Sequence, residues 1–251
     1  MSQDLAYAAR LLLDAQRIMV FTGAGISTES GIPDFRGTDG IWTKFSPEDF
    51  MLDRYISDRT VRTRAWATRF PKMFGQAQPN AAHEAVVDLW KAGRLVGCVT
   101  QNIDGLHQTA GLPQEAIAEL HGNSDGIACL QCGAPHDPAA VEQRWVSGDV
   151  DPRCDHCGGI LKSTIVFFGE VLPQSEIELA NQWAAQADAV IAVGSSLSVY
   201  PAAYIPLEIA SRGDTFVIIN NGPTDLDTVA SIRLEGLAGT LLPQLVGAII
   251  G

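Results

Sequence analysis

Residues 17–36 read RIMVFTGAGISTESGIPDFR. Ile18, Met19, Val20 and Phe21 form an apolar run long enough for one buried strand, and Gly23 and Gly25 follow at once. This constrains the fold strongly. In a parallel α/β sheet, such a turn lets backbone without a Cβ approach a phosphate, and the next helix aims its free N–H groups at the anion. The dinucleotide fingerprint places a third glycine three residues after the second; Thr28 stands there. No strand-ending acid follows about 20 residues on. The turn is dinucleotide-like but departs from the dehydrogenase pattern, and a plain tight turn that packs a helix on a sheet stays open here.

The rest of the chain alternates strand and helix. Leu5, Ala8, Ala9, Leu12 and Leu13 make a helical stripe. A helix is predicted over 81–91 with Gly93 as its stop, then a buried strand over 95–100 that ends in Gln101-Asn102-Ile103-Asp104. A strand over 116–120 delivers His121-Gly122 to the same edge, where open α/β sheets bind ligands. Further strands are predicted over 164–168, 188–193, 215–219 and, weakly, 232–234. The third last of these ends in Gly194-Ser195-Ser196 and the next in Asn220-Asn221-Gly222. Ser175 with Glu178 has capping-box spacing, Pro201 suits a helix start, Pro206 should kink that helix, and a helix over 242–249 closes the chain. The expectation is an α/β fold, a doubly wound parallel sheet. It is interrupted at 37–78, where Trp42, Phe45, Phe50, Met51, Tyr55, Trp66, Phe70 and Phe74 are irregularly spaced, and at 123–163. Two such insertions from one face would build a second, smaller lobe facing the sheet across a cleft.

Composition narrows the function. A net charge of −12 argues against a nucleic-acid binder, which needs clustered Lys and Arg, and suits basic partners such as lysine-rich protein segments. No apolar stretch has the roughly 18 residues of a membrane span, and the N-terminus does not read as a signal peptide. Cys129-x-x-Cys132 and Cys154-x-x-Cys157 stand 21 residues apart. Paired cysteines read as metal chemistry in a reducing cytoplasm rather than as disulfides. Four thiolates suit a closed, tetrahedral structural zinc with no position open for catalysis. His156 is expected as a bystander beside the metal and Cys98 as core. The second insertion sets Asp125, Asp137, Glu142, Asp149, Asp151 and Asp155 against Arg144, Arg153 and Lys162, so this zinc lobe should not bind nucleic acid.

His121 is placed by its strand beside Asn102 and Asp104, and neutral imidazole suits proton removal near pH 7. His83 and His107 read as structural, and Asn102 and Asp104 also admit ordinary Asx-turn chemistry. Gly31-Ile32-Pro33-Asp34-Phe35-Arg36-Gly37 adds a carboxylate, an aromatic and a guanidinium beside the glycine turn. With Gln101-Asn102-Ile103-Asp104, His121-Gly122 and the two cysteine pairs, the chain resembles the sirtuin family of NAD-dependent protein deacylases, with the motifs in family order from about Leu11 to the C-terminus.

The resemblance implies a Rossmann-like NAD-binding domain from 1–36, 79–122 and 164–251. A small domain would come from the helical insertion 37–78 and the zinc-ribbon insertion 123–163. It implies NAD and zinc as cofactors and His121 and Asn102 as catalytic residues. Gly23, Ala24, Gly25, Ser27, Asp34, Arg36, Trp42 and Gln101 would help hold NAD. Asp104, Ile103, Ile32 and Phe35 would enclose the nicotinamide, and Asn102 would sit by its ribose. Gly194, Ser195 and Ser196 would contact phosphate and ribose, while Asn220, Asn221, Gly222 and Ala238 would hold the adenosine end. Asn221-Gly222 departs there from the usual family wording. Val166, Phe167, Phe168, Gly169 and Glu170 resemble the segment that pairs with an extended acylated peptide. The implied reaction moves an acyl group from lysine to ADP-ribose with release of nicotinamide. Three other readings stay open: protein ADP-ribosylation at the same site, a dehydrogenase, and a non-catalytic zinc-ribbon module. The glycine and Asp34-Phe35-Arg36 wording speaks against the dehydrogenase, and His121 with Asn102 against the module. Family members preferring succinyl- or malonyl-lysine carry Tyr-x-x-Arg where this chain has Trp66-Ala67-Thr68-Arg69, so uncharged acyl groups are expected. A cytoplasmic monomer is the remaining expectation.

Overall fold

The computed structural model describes residues 2–35, 37, 40–43, 46–69 and 77–251, without the Trp42 side chain. The expectations for Arg36, Phe45, Phe70, Phe74 and the Trp42 ring lie outside the described residues. Helix α1 (Gln3–Leu12) buries Leu5, Ala8, Ala9 and Leu12 and is capped by Ser2, whose Oγ accepts from Leu5 N. Strand β1 (Ile18–Thr22) is buried throughout. It runs not into an α-helix, as the phosphate-turn pattern suggested, but into one stretch of 3-10 helix, Ala24–Ser30. The first insertion contributes α2 (Leu52–Ser57) and α3 (Arg59–Arg69). Helix α4 (Ala81–Lys91) starts with a reciprocal cap: Asn80 Oδ1 accepts from Ala82 N at 2.9 Å, and His83 Nδ1 accepts from Asn80 N at 3.3 Å.

There follow β2 (Leu95–Thr100), α5 (Leu106–Thr109) and β3 (Ile117–Glu119). The second insertion holds β4 (Ile127–Cys129), β5 (Pro135–His136), α6 (Pro138–Val146) and β6 (Leu161–Ser163). The chain closes with α7 (Gln174–Gln186), β7 (Ala189–Val193), α8 (Tyr204–Ser211), β8 (Thr215–Asn220), β9 (Ile232–Glu235) and α9 (Ala238–Ile250).

The main sheet has the order β3-β2-β1-β7-β8-β9 and every pairing in it is parallel. This is a Rossmann-like doubly wound sheet, with its switch point between β1 and β7. Strand parity explains the two layers. Ile18, Val20, Cys98, Ile191, Val193, Val217 and Ile219 pack on α1, α4 and α9; Met19, Phe21, Val99, Val190, Ala192, Phe216 and Ile218 pack on α7 and α8.

A smaller antiparallel sheet, β5-β4-β6, belongs to the second insertion. The first insertion packs into it. Trp66 of α3 is 1% exposed among Ile127, Cys129, Val141, Cys154 and Leu161, and Tyr55 Oη donates to Leu161 O at 2.7 Å. Arg62 binds Asp151 with two parallel bonds of 2.9 and 3.0 Å, both side chains buried, and donates to the carbonyls of Tyr55 and Ile56. Burial alone would raise the Asp151 carboxyl, but Arg62 and Arg153 overcome it and hold it below the usual carboxylate range.

Several local expectations are corrected. Residues 164–168 are not a strand of the main sheet, and Phe168 is 45% exposed with a single bridge to Met51. Their amides are taken by other loops: Val166 N donates to His121 O and Phe168 N to Phe50 O. Ser175 does not cap α7, because the helix already starts at Gln174 behind Pro173. Pro201 lies in a turn before α8, so Pro206 falls in the first helical turn, where no N–H is needed and no kink follows. Helix α9 starts at Ala238, earlier than expected, with Glu29 accepting from Gly239 N at 2.6 Å. No helix among the described residues is long and apolar enough to cross a membrane.

Candidate active site and metal centre

The carboxyl ends of β1, β2 and β7 meet at the switch point. Gly23 N donates to Val193 O at 3.0 Å and Gly25 N to Gly194 O at 2.8 Å. The two loops touch backbone to backbone: a Cβ on Gly194, whose φ is +64°, would lie 2.2 Å from Ile26 N, and one on Gly25 would lie 2.7 Å from Gly194 Cα. Both glycines are therefore required by the packing of the loops. Leu197 follows at a φ of +55°, a conformation that costs a non-glycine residue about 1–2 kcal/mol. Its N–H donates to Ser195 Oγ, which also accepts from Gln101 Nε2 at 2.8 Å. Gln101 N donates to Thr22 O. One residue thus ties three strand ends together.

Ser27 is the hub of the next layer. Its Oγ donates to Asp104 Oδ2 at 2.7 Å and accepts from Asn102 Nδ2 at 3.2 Å. His83 Nε2 lies 3.4 Å from the same oxygen. Because His83 Nδ1 already accepts from Asn80 N, the proton of the neutral ring is on Nε2 and points at Ser27. Asp104 Oδ1 accepts from Leu106 N at 3.0 Å, so the Asx-turn reading holds, yet each carboxylate oxygen keeps a further lone pair. Asn102 is buried, with its amide N on Thr100 Oγ1. Ile32 is buried and its N–H donates to Ser27 O at 3.3 Å, and Phe35 is partly buried. Asp34 closes its loop by accepting from Gly37 N at 2.6 Å. Asn220 donates to Gly222 O at 2.9 Å, and Gly236 N reaches Asn220 O, which brings the ends of β8 and β9 beside the start of α9 at Ala238.

His121 follows β3 directly. Its Nδ1 lies 3.0 Å from Gln101 O. A carbonyl only accepts, so Nδ1 carries the proton and Nε2 holds the lone pair, with no partner among the described residues. Burial pushes this imidazole below its usual pKa, against an opposing contribution from the Gln101 carbonyl. The arrangement is an oriented, neutral base. Of the expected peptide segment, Val166 is joined to His121 through the main chain, Phe168 is exposed, and the Glu170 carboxylate turns inward to Phe167 N.

The four cysteines come together with all sulfurs within 4.8 Å of one another. Cys129 and Cys157 are 3.5 Å apart, Cys132 and Cys154 3.7 Å. Four thiolates at about 2.3 Å from a tetrahedral zinc would be separated by about 3.8 Å. The donor set therefore fits that ion. His156 is expected as a bystander rather than a ligand; His136 also lies at the centre, with Nε2 3.3 Å from Cys154 Sγ and its ring 5.5 Å from that of His156. Nothing in the cysteine spacing pointed to His136, which arrives through the β4–β5 pairing.

Residues 23–201 match the model of the Sir2 family. The chain is 41% identical over 244 residues to an NAD-dependent protein deacetylase of Caldivirga maquilingensis, covering 97% of this chain and 93% of that one. Among solved structures it is similar to one described under the structural basis for the mechanism and regulation of Sir2 enzymes, with a TM-score of 0.89, 38% identity and coverage of 99% and 98%. It is also similar to a complex of Sir2 with a p53 peptide and NAD, with a TM-score of 0.85, 34% identity and 98% of each chain covered.

Proposed function

The chain belongs to the Sir2 family, and on that premise we propose how its own residues divide the reaction. It is an enzyme, an NAD-dependent protein-lysine deacetylase/deacylase, acting on proteins that carry acyl-lysine. When bound, NAD supplies an electrophilic ribose carbon, nicotinamide as leaving group and a hydroxyl that accepts the acyl group. The glycine turn of Gly23, Ala24 and Gly25 and the loop Gly194, Ser195 and Ser196 hold the phosphates, and Asn220, Asn221, Gly222 and Ala238 the adenosine end. Ser27 fixes the Asp104 carboxylate, which with Ile103, Ile32 and Phe35 binds the nicotinamide; Asn102 and Gln101 orient the ribose. Asp34, Arg36 and Trp42 help hold NAD, and Phe35 excludes water. Val166, Phe167, Phe168, Gly169 and Glu170 form the peptide-binding segment.

The observation that carries the proposal is the His121 ring. Its Nδ1–H is spent on Gln101 O, so Nε2 is free to remove a proton from the ribose hydroxyl. Zinc on Cys129, Cys132, Cys154 and Cys157 has a structural role, four thiolates leaving no open position. We read 1–36, 79–122 and 164–251 as the NAD-binding domain and 37–78 with 123–163 as the small domain. The reading extends to a cytoplasmic monomer that binds neither nucleic acid nor membrane, in keeping with a net charge of −12. Light scattering that gave a dimer mass would correct the oligomeric part.

The test is to mix the protein with NAD and acyl-lysine peptides and to follow nicotinamide and peptide mass together. Loss of the acyl group in step with nicotinamide release is expected. Nicotinamide release with the acyl group intact and ADP-ribose attached to protein would replace the reading by ADP-ribosyl transfer.

A further inference from the structure

Lys162 is 4% exposed on β6, paired with Ala128 of β4. Its ammonium group has three hydrogens and three oxygens to receive them. Nζ donates to Ser163 O at 2.8 Å and Ile165 O at 2.5 Å, and lies 3.1 Å from Glu170 Oε2. It also stands 4.8 Å from the centre of the Phe167 ring, close enough for a cation–π contact. The same Glu170 oxygen accepts from Phe167 N at 2.9 Å. One ion pair therefore holds the main chain of 163–170 at three points, the carbonyls of Ser163 and Ile165 before Val166 and the amide of Phe167 after it.

The residues at and just after those points are the ones joined to the rest of the site. Val166 N donates to His121 O at 2.8 Å; Phe168 N donates to Phe50 O at 2.9 Å and Phe168 O accepts from Leu52 N at 3.0 Å. Phe167 meets Tyr55 edge to face, with ring centres 5.2 Å apart. An apolar side chain would fill the place of Lys162 without the desolvation cost of a buried ammonium. What the ammonium adds is direction: it fixes the backbone turn that leads into the segment beside the general base.

We propose that Lys162, locked by Glu170, is a positioning residue for substrate, setting the shape of 163–170 and with it the affinity for the acyl-lysine peptide. This rests on the reading that 166–170 binds the peptide. The NAD half of the site stands on other contacts: Gln101 to Ser195, Ser27 to Asp104 and Gly25 to Gly194 do not pass through Lys162. Disturbing Lys162 should therefore separate the two substrates kinetically.

The experiment compares Lys162→Met, Glu170→Gln, the double variant and Phe168→Ala, each purified with zinc and assayed with NAD and an acetyl-lysine peptide. Lys162→Met is expected to raise KM for the peptide roughly tenfold or more through lost preorganisation, with KM for NAD within about twofold of wild type. Glu170→Gln should move in the same direction by less, and the double variant should be no worse than Lys162→Met, since the pair acts as one device. A folded, zinc-loaded Lys162→Met with unchanged peptide KM, or with both KM values raised alike, overturns the proposal. If Lys162→Met fails to fold, Glu170→Gln decides: a raised peptide KM at unchanged NAD KM supports the proposal and an unchanged one overturns it. Phe168→Ala adds a second probe, because Phe168 is exposed while the hydrogen bonds of the ion pair go to Ser163, Ile165 and Phe167. If added acetyl-lysine peptide leaves hydrogen exchange across 163–170 unchanged, the peptide-binding reading of 166–170 fails, and the proposal with it; if Phe168→Ala raises peptide KM while Lys162→Met does not, only the role of Lys162 fails.

Discussion

Lowering the pH from 7 to 5 should strip stability from this protein through two buried histidines. His83 and His107 are 0% and 2% exposed, their rings 5.0 Å apart. His107 Nε2 meets Thr22 Oγ1 at 3.0 Å, and its Nδ1 has no hydrogen-bond partner among the described residues. Burial pulls His83 from 6.5 to about 4, against an opposing pull from Asp104. Burial, and then the neighbouring His83, brings His107 to about 3. Both folded-state values are depressed, so between pH 6.5 and 4 the unfolded chain binds protons that the folded protein refuses. Stability then rises with pH across that window and is lost as pH falls through it. At pH 5 an unfolded imidazole is almost fully protonated while the folded ring stays neutral, so each histidine lowers stability by about 2 kcal/mol relative to pH 7. Together they remove about 4 kcal/mol, a large share of a typical total of about 5–15 kcal/mol. Zinc thiolates also take up protons in acid, so the wild-type curve mixes two effects. His107→Gln separates them: the amide can still donate toward Thr22 but does not titrate. Urea midpoints for both proteins at pH 7 and pH 5 should show wild type losing about 2 kcal/mol more than the variant. Equal losses would mean that His107 accepts its proton in the folded state and that the burial argument is wrong.

His121→Ala should lower turnover about 10²–10⁴-fold while NAD binding and folding stay near wild type. In the wild-type enzyme the acid limb of kcat/KM should fall below the ordinary imidazole value of about 6.5, because burial favours the neutral ring; a limb above that value refutes the assignment. Metal analysis should find about one zinc per chain, lost in Cys129→Ala or Cys154→Ala with unfolding of β4–β6; less than about half a zinc in protein never exposed to chelator contradicts the four-thiolate centre. Acetyl-lysine peptide should be cut at least about tenfold better than succinyl-lysine peptide, because Trp66 is core and Arg69 already donates to the carbonyls of Ser124 and Asp125. Succinyl preference that collapses in Arg69→Met would show that Arg69 leaves those carbonyls to hold the acid.

What could be read from the sequence was whatever a short window encodes. Ile18 to Phe21 running into glycine announced a buried strand and a close backbone approach, and the alternation of strands with helices along the chain announced a doubly wound parallel sheet. The cysteine spacing announced a metal centre because two knuckles carry their own geometry. Gly93 announced the end of the helix over 81–91 because a stop signal is local. Periodicity reports that a residue is buried, though, and not against what. The order of the strands, with β1 beside β7 rather than beside β3, came only with the tertiary structure, and that order creates the site: Asn102 reaches Ser27 across 75 residues of chain, and Gln101 reaches Ser195 across 94. The same holds where the sequence reading failed. Residues 164–168 have the composition of a buried strand, but their amides are claimed by His121 and Phe50. Lys162 looks like one more surface cation until β6 places it beneath Phe167, and His136 gave no signal until β5 folded it against Cys154. Hydrogen bonds and ion pairs between distant segments have no period in sequence, and here they decide which ring nitrogen of His121 keeps its lone pair.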